Sequence, residues 1–305
     1  MFFSIIIPTY NRQPILEKCI EALENQVMTD QHLVSGYEII IVDDGSTDET
    51  ISWLKQQSFP HVRFFQQDHQ GPATARNLGI KKAQGEIIIF IDSDLVVTEN
   101  FIQSHGNCLS QNYDSAFTYG RVINTSNFEN PTAEPYKLTD FSAAYFATGN
   151  VAIHRQWLEK AGLFDPQFQL YGWEDLELGV RLKKLGLKLI KCPHAIGYHW
   201  HPPFTLEQLP KLIDQEIERG KMGVIFYQKH PSWEVKMMIQ KTILHRILWG
   251  TLSLGGFLNE RTLRPLLKWL IQRGKSGLAL EIARIFLNWY TVQAVHGKEV
   301  GKQIE

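Results

Sequence analysis

The chain has no uninterrupted run of 18 apolar residues, and so no membrane-spanning helix is expected. Its start, MFFSIIIPTYNR, is apolar but carries neither the basic flank nor the small-residue cleavage site of a secretory leader. There is no G-x-G-x-x-G and no Walker A pattern, which removes the dinucleotide-dehydrogenase and P-loop readings. Cysteine is scarce: Cys19, Cys108 and Cys192 are the only three in 305 residues, and none forms a C-x-x-C pair. That usage suits buried thiols in a reducing compartment, so a cytoplasmic protein is expected. Charge of one sign is also missing, since the net charge is −1. That balance argues neither for nor against nucleic-acid binding, because the distribution of charge matters more than its sum. No nucleic-acid partner is expected, on other grounds given below.

What is present is an ordinary globular composition, 44% hydrophobic and 21% charged. Apolar runs at Ser4–Ile7, Glu38–Val42, Val62–Phe65 and Glu86–Ile91 read as strands. Helical spacing separates them: Ile15, Leu16, Cys19, Ile20 and Leu23 form one stripe, and Pro72–Gln84 follows Val62–Phe65. Continuous apolar strands alternating with helices predict a mostly parallel, Rossmann-like α/β sheet covered on both faces. Further strands are expected near Ser115–Val122 and Leu187–Lys191, and helices at Arg155–Lys160 and Glu174–Lys184. The pattern divides the chain into an α/β domain over 1–205, in two halves of about 1–95 and 96–205, and a helical C-terminal extension over 206–305.

Ligands of such sheets bind at the carboxyl ends of strands. Three ends here carry polar clusters: Pro8-Thr9-Tyr10-Asn11-Arg12, Asp43-Asp44-Gly45-Ser46, and Asp92-Ser93-Asp94. Two carboxylates one residue apart suit Mg²⁺ or Mn²⁺, whose remaining ligands are often phosphate oxygens. An Asx turn closing a strand would use the same residues. Asp44 suits a base or ribose, Tyr10 offers a face for stacking, and Arg12 suits phosphate. Arg76, in a small-residue helix start, would meet a diphosphate favoured by the helix dipole. Trp173-Glu174-Asp175 opens a helix, where acidic residues are favoured by the dipole alone. Beside an exposed Trp they would also make a sugar platform and a general base. His199 and His201 form an H-x-H pair after a strand, read either as metal ligands or as an ordinary satisfied pair.

Together these segments resemble the family 2 glycosyltransferases. The matching stretches are S-I-I-I-P-T-Y-N-R at 4–12, I-V-D-D-G-S-T-D at 41–48, G-P-A-T-A-R-N-L-G at 71–79 and F-I-D-S-D at 90–94. Gly149-Asn150 and Trp173-Glu174-Asp175 follow in the same order. The resemblance implies a GT-A fold and an inverting single displacement from a nucleotide diphosphate sugar, usually a UDP-hexose or UDP-N-acetylhexosamine. By that analogy Pro8, Tyr10, Arg12, Asp44, Arg76, Asp92 and Ser93 serve the nucleotide, while Gly149 and Asn150 border the donor sugar. Asp94 is the firmer ligand for Mn²⁺ or Mg²⁺, and His199 is favoured over His201 as the added one. Asp175 is the base, with Glu174 supporting it or binding acceptor beside Trp173. Q-x-x-R-W and membrane helices of processive synthases are missing, which implies the addition of one sugar or a few. The acceptor would be a glycan, lipid-linked or other hydroxyl compound, selected by loops such as Asn124–Asp140.

Two other readings compete. A sugar nucleotidyltransferase needs an N-terminal glycine-rich phosphate loop, which is absent. A catalytically silent scaffold binding nucleotide sugar would not require the Glu174-Asp175 pair. Residues 236–275 contain eight Lys or Arg against one acid, Glu260, with Trp249, Trp269 and many Leu and Ile between them. Basic amphipathic helices of this kind suit an anionic membrane, and would place the protein peripherally at the inner face of the plasma membrane. A solvated helical cap or a homodimer interface would use the same residues.

Overall fold

The computed structural model describes residues 1–110, 115–137, 140, 142 and 144–297. Of the Asn124–Asp140 loop, Leu138 and Thr139 lie outside the described residues. The chain forms two compact units: residues 1–169 with 174–202, and residues 170–173 with the chain from Pro203 onward.

In the first unit β1 (Phe2–Thr9), β2 (Gly36–Asp43), β3 (Val62–Gln66) and β4 (Ile87–Ile91) alternate with α1 (Gln13–Glu24), α2 (Thr50–Gln56) and α3 (Pro72–Lys82). The Ile and Phe runs of β1, β2 and β4 follow from burial on both sides. Ile5, Ile7, Ile39 and Ile89 pack with Leu16 and Ile20 of α1. Ile6, Ile40, Ile88 and Phe90 pack on the opposite face with Ala73, Ala75 and Ile80 of α3.

After β4 the chain builds β5 (Leu95–Val97), α4 (Phe101–Ser110), β6 (Ala116–Thr125), β7 (Asn150–His154), α5 (Arg155–Ala161), α6 (Glu174–Lys184) and β8 (Lys188–Trp200). One eight-stranded sheet runs β3-β2-β1-β4-β7-β6-β8-β5. Parallel pairing holds through β1–β4 and between β6 and β8. Pairing is antiparallel at β4–β7, β6–β7 and β5–β8, so the sheet is mixed. β8 extends to Trp200, well past the expected strand end at Lys191.

Cys108 of α4 and Cys192 of β8 are joined in a disulfide with Cα atoms 6.1 Å apart. This corrects the expectation of buried thiols, which holds for Cys19 alone. The two partners are 84 residues apart in sequence and meet where α4 packs on β8.

The second unit is helical: α7 (Leu209–Lys229), α8 (Trp233–Met238), α9 (Ile243–Leu252), α10 (Glu260–Gln272) and α11 (Ser276–Val295). Leu263, Leu267 and Leu270 of α10 meet Ala279, Ala283 and Phe286 of α11 in its core. α7 packs closely on α11, for a Cβ at Gly220 would lie 2.5 Å from Ala294 Cβ.

Candidate active site

β2, β1 and β4 are adjacent and parallel, so their polar ends meet at one edge of the sheet. Asn11 ties the first two together. It takes φ 53°, a left-handed conformation that Asn tolerates. Its Oδ1 accepts from Thr47 N at 2.7 Å and Asp48 N at 3.2 Å, and its own N–H donates to Ser46 Oγ at 2.9 Å. Pro8, half-buried near the end of β1, stands opposite Val42.

Asp44 is turned into the loop that precedes α3. It accepts from Gln67 Nε2 at 2.7 Å, Gln70 N at 2.9 Å and Gly71 N at 2.9 Å. His69 Nδ1 lies 2.8 Å from its Oδ2, and the His69 ring stacks on exposed Tyr10 with centroids 4.4 Å apart. Gly45 permits this approach: at φ 81° its missing Cβ would sit 3.0 Å from His69 N. His69 escapes sequence reasoning, because nothing marks it except its place just before Gly71-Pro72.

Beyond β4, Leu95 N donates to Asp92 O at 3.1 Å, closing a turn that buries Ser93. β5 then pairs with β8 so that Leu95 faces His199, while Trp200 N donates to Asp94 O at 2.9 Å. This short ladder delivers His199 Nε2 to 2.8 Å from Asp94 Oδ1. Asp92, Asp94 and His199 each offer a ligand atom within 4.8 Å of the others. Arg12 Nη1 stands 3.7 Å from Asp94 Oδ2. His201 lies beyond the strand, its ring 4.1 Å from that of His199, with Nε2 3.2 Å from Asn124 Oδ1.

Burial raises the Asp94 pKa, but the His199 hydrogen bond and the His199 and Arg12 charges outweigh it and hold the carboxyl low. Burial likewise opposes the His199 imidazolium, and Asp94 and Asp92 together raise its pKa. Burial drives Asp92 upward despite Arg76 and His199. Two carboxylates and an imidazole held together in this way fit a divalent cation.

Arg76 is buried, and its guanidinium is engaged by two carboxylates. Nη1 donates to Glu174 Oε1 at 2.9 Å, and Nη2 lies 3.4 Å from Asp92 Oδ1. Burial lowers its pKa, yet the charges of Glu174, Asp92 and Asp175 raise it overall. Glu174 Oε2 is buried and has no hydrogen-bond partner among the described residues. Asp175 receives backbone N–H bonds from Leu176 and Thr148. Burial, then the neighbouring Glu174 charge, push its carboxyl up to about 7.

Trp173 is not the exposed platform expected. It is 6% exposed, at φ 77°, and its Nε1 donates to Arg219 O at 2.7 Å. Gly149 does border the acidic cluster, since a Cβ there would be 3.2 Å from Asp92 Oδ2. Asn150 is fully buried: its Nδ2 donates to Arg121 O and Ala195 O, and its Oδ1 faces His105 Nε2 at 2.9 Å. Burial pushes the His105 imidazole down to about 4, leaving it a neutral bridge between Asn150 and Thr118.

Comparison with known proteins follows the same lines. The chain is 25% identical over 291 residues to the chondroitin synthase of Pasteurella multocida (strain Pm70), and 26% identical over 275 residues to a hyaluronan synthase of Pasteurella multocida. These alignments cover 80% and 75% of this chain but only 29% and 28% of the relatives, so the chain spans less than a third of their length. Among solved structures, the mannosyltransferase PcManGT from Pyrobaculum calidifontis, in complex with GDP-Man and Mn²⁺, aligns with TM-score 0.58 at 18% identity. That alignment covers 97% of this chain and 88% of the other. S. aureus TarS 1–349 in complex with UDP-GlcNAc aligns with TM-score 0.53 at 15% identity, covering 99% and 93%. The fold is the expected GT-A arrangement. The family model described as glycosyl transferase family 2 matches residues 4–171, over half of the chain, and this protein belongs to that family.

Proposed function

We propose that this chain is a non-processive, inverting glycosyltransferase that moves a sugar from a nucleotide diphosphate sugar to an acceptor hydroxyl. The observation that carries this reading is the gathering of Asp92, Asp94 and His199 beside the Arg76–Glu174–Asp175 group at one sheet edge. Tyr10 and His69 offer a stacked pair for the base, and the loops of Pro8 and Asp44 frame it. Asp92, Asp94 and His199 would hold Mn²⁺ or Mg²⁺, which when bound neutralises charge on the diphosphate. Arg12 adds a second positive charge at the same place.

Asp175, ionised, takes the proton of the acceptor hydroxyl as that oxygen bonds to the anomeric carbon. The bond from that carbon to the diphosphate oxygen breaks, and its electron pair leaves with the nucleotide. Glu174 keeps one oxygen on Arg76, and from there it supports Asp175 or binds the acceptor. A UDP-hexose or UDP-N-acetylhexosamine donor is in keeping with the structural neighbour TarS, which carries UDP-GlcNAc, whereas PcManGT carries GDP-Man, so both nucleotides belong in the test. The acceptor would be a glycan, lipid-linked or other hydroxyl compound.

The test is release of UDP or GDP from a donor panel with Mn²⁺ and candidate acceptors, followed by EDTA treatment. Acceptor-dependent release that EDTA stops and Mn²⁺ restores is expected. Tight nucleotide-sugar binding without turnover on any acceptor would leave the silent-scaffold reading instead.

A further inference from the structure

α9 has the composition of a buried helix and the environment of a surface one. Its sequence, ILHRILWGTL, contains no buried residue. Ile243, Leu244, Ile247, Leu248 and Leu252 are 78, 66, 61, 46 and 44% exposed, and Phe257 in the turn beyond is 66% exposed. At about 100° per residue these α9 positions fall on one side of the helix. Trp249, by contrast, keeps its indole N–H buried. Thr242 caps the helix by accepting from His245 N at 3.3 Å, so the exposed face is presented by an ordered element.

The charges of the segment that carries this face bear on its partner. From Val235 to Asn259 there is no Asp or Glu, while Lys236, Lys241 and Arg246 are all cationic. Arg246 lies exposed within α9 itself, and Arg264 and Lys268 are exposed on α10. A second copy docking face to face would bring up the same acid-free segment and so offer no counter-charge to Lys236, Lys241 and Arg246. An anionic lipid surface instead meets the cations with phosphates and accepts the aliphatic side chains among its acyl chains. Ten residues of helix span only about 15 Å, half of a bilayer's hydrocarbon core. Among the described residues no helix is long and apolar enough to cross a membrane. The contact is therefore parallel to the surface.

We propose that the Ile243–Leu252 face, with Phe257, inserts into the interfacial layer of an anionic phospholipid membrane. The inference concerns the second unit alone and does not depend on the sugar-transfer reading.

The experiment is co-sedimentation of the full chain, without donor or metal, on vesicles of phosphatidylcholine alone and of phosphatidylcholine with phosphatidylglycerol. Binding to the anionic vesicles is expected, reduced by salt. Ile247→Glu/Leu248→Glu should lower partitioning at least tenfold, and Arg246→Gln roughly fivefold. A Leu248→Trp chain should show blue-shifted emission on anionic vesicles and quenching by brominated lipid. Failure to bind anionic vesicles would overturn the proposal, as would partitioning unchanged by the double Glu variant or Trp emission unmoved by lipid. So would a dimer in solution that Ile247→Glu/Leu248→Glu splits while vesicles are ignored, which would assign the face to a second copy.

Discussion

Arg76 Nη1 and Glu174 Oε1 are 2.9 Å apart although 98 residues separate them in sequence, and the same guanidinium reaches Asp92. One buried cation thus links the helix after β3, the acidic turn after β4 and the first turn of α6. Such a pair contributes little when measured against an apolar replacement, but its halves are costly to separate.

Arg76→Met should therefore destabilise the chain by about 3–5 kcal/mol, because it leaves Glu174 buried without a counter-charge. The double variant Arg76→Met/Glu174→Leu should recover part of that loss. Urea unfolding of the four members of the cycle measures it. A loss below about 1 kcal/mol for Arg76→Met would put the guanidinium in a solvated, surface-like role instead.

The acidic turn leads to a second expectation. Outer-shell changes at metal sites already cost about 10–100-fold in affinity, so loss of a direct carboxylate ligand should cost at least about 100-fold. Asp94→Ala should do this to Mn²⁺ binding measured by calorimetry with UDP present. His199→Ala should cost about tenfold, and His201→Ala, whose Nε2 faces Asn124, less than that. A larger effect at His201 than at His199 would reverse the assignment.

The Cys108–Cys192 link is open to a thiol count. Unfolded without reductant, the chain should show one reactive thiol, Cys19, and after reduction three. Its melting temperature should fall on reduction, since a closed loop of this length constrains the unfolded chain. Three thiols before reduction would remove the disulfide.

These features differ in how far sequence discloses them. β1, β2 and β4 announce themselves, because a strand covered on both faces is apolar over most of its length, and the Ser4 and Glu38 that interrupt the runs bond to each other. The turn residues at their ends are then placed by the parallel pairing. β7, by contrast, is five residues long and antiparallel, and its Asn150 reads as a ligand although the amide serves buried carbonyls. β5 has only three residues, too few for any period to show, yet it sets His199 beside Asp94. Trp173 looks like a surface platform because its motif says nothing about Arg219, 46 residues on. Arg76 stands out in the sequence as a diphosphate partner, but its pairing with Glu174 and Asp92 does not, because a long-range ion pair leaves no mark in local spacing.

The last expectation concerns Asp175. Burial and the adjacent Glu174 charge lift its carboxyl to about 7 from an ordinary value of 3.8. A base must be ionised to accept a proton, and a raised pKa means that state is lost as pH falls below about 7. Transfer should accordingly fall about tenfold per pH unit on the acid side and level off above the pKa. Asp175→Asn keeps the size but cannot take the proton, so kcat should drop by about 10²–10⁴ and the acid limb should vanish from what remains. UDP affinity should hardly change, because Tyr10, His69 and Asp44 lie on other strand ends. Glu174→Gln should act mainly on acceptor KM, as expected of a residue that binds the acceptor and is not the base. Turnover profiles across pH for both variants, beside UDP calorimetry, decide it. Near-normal turnover in Asp175→Asn with turnover lost in Glu174→Gln would give the base's role to Glu174.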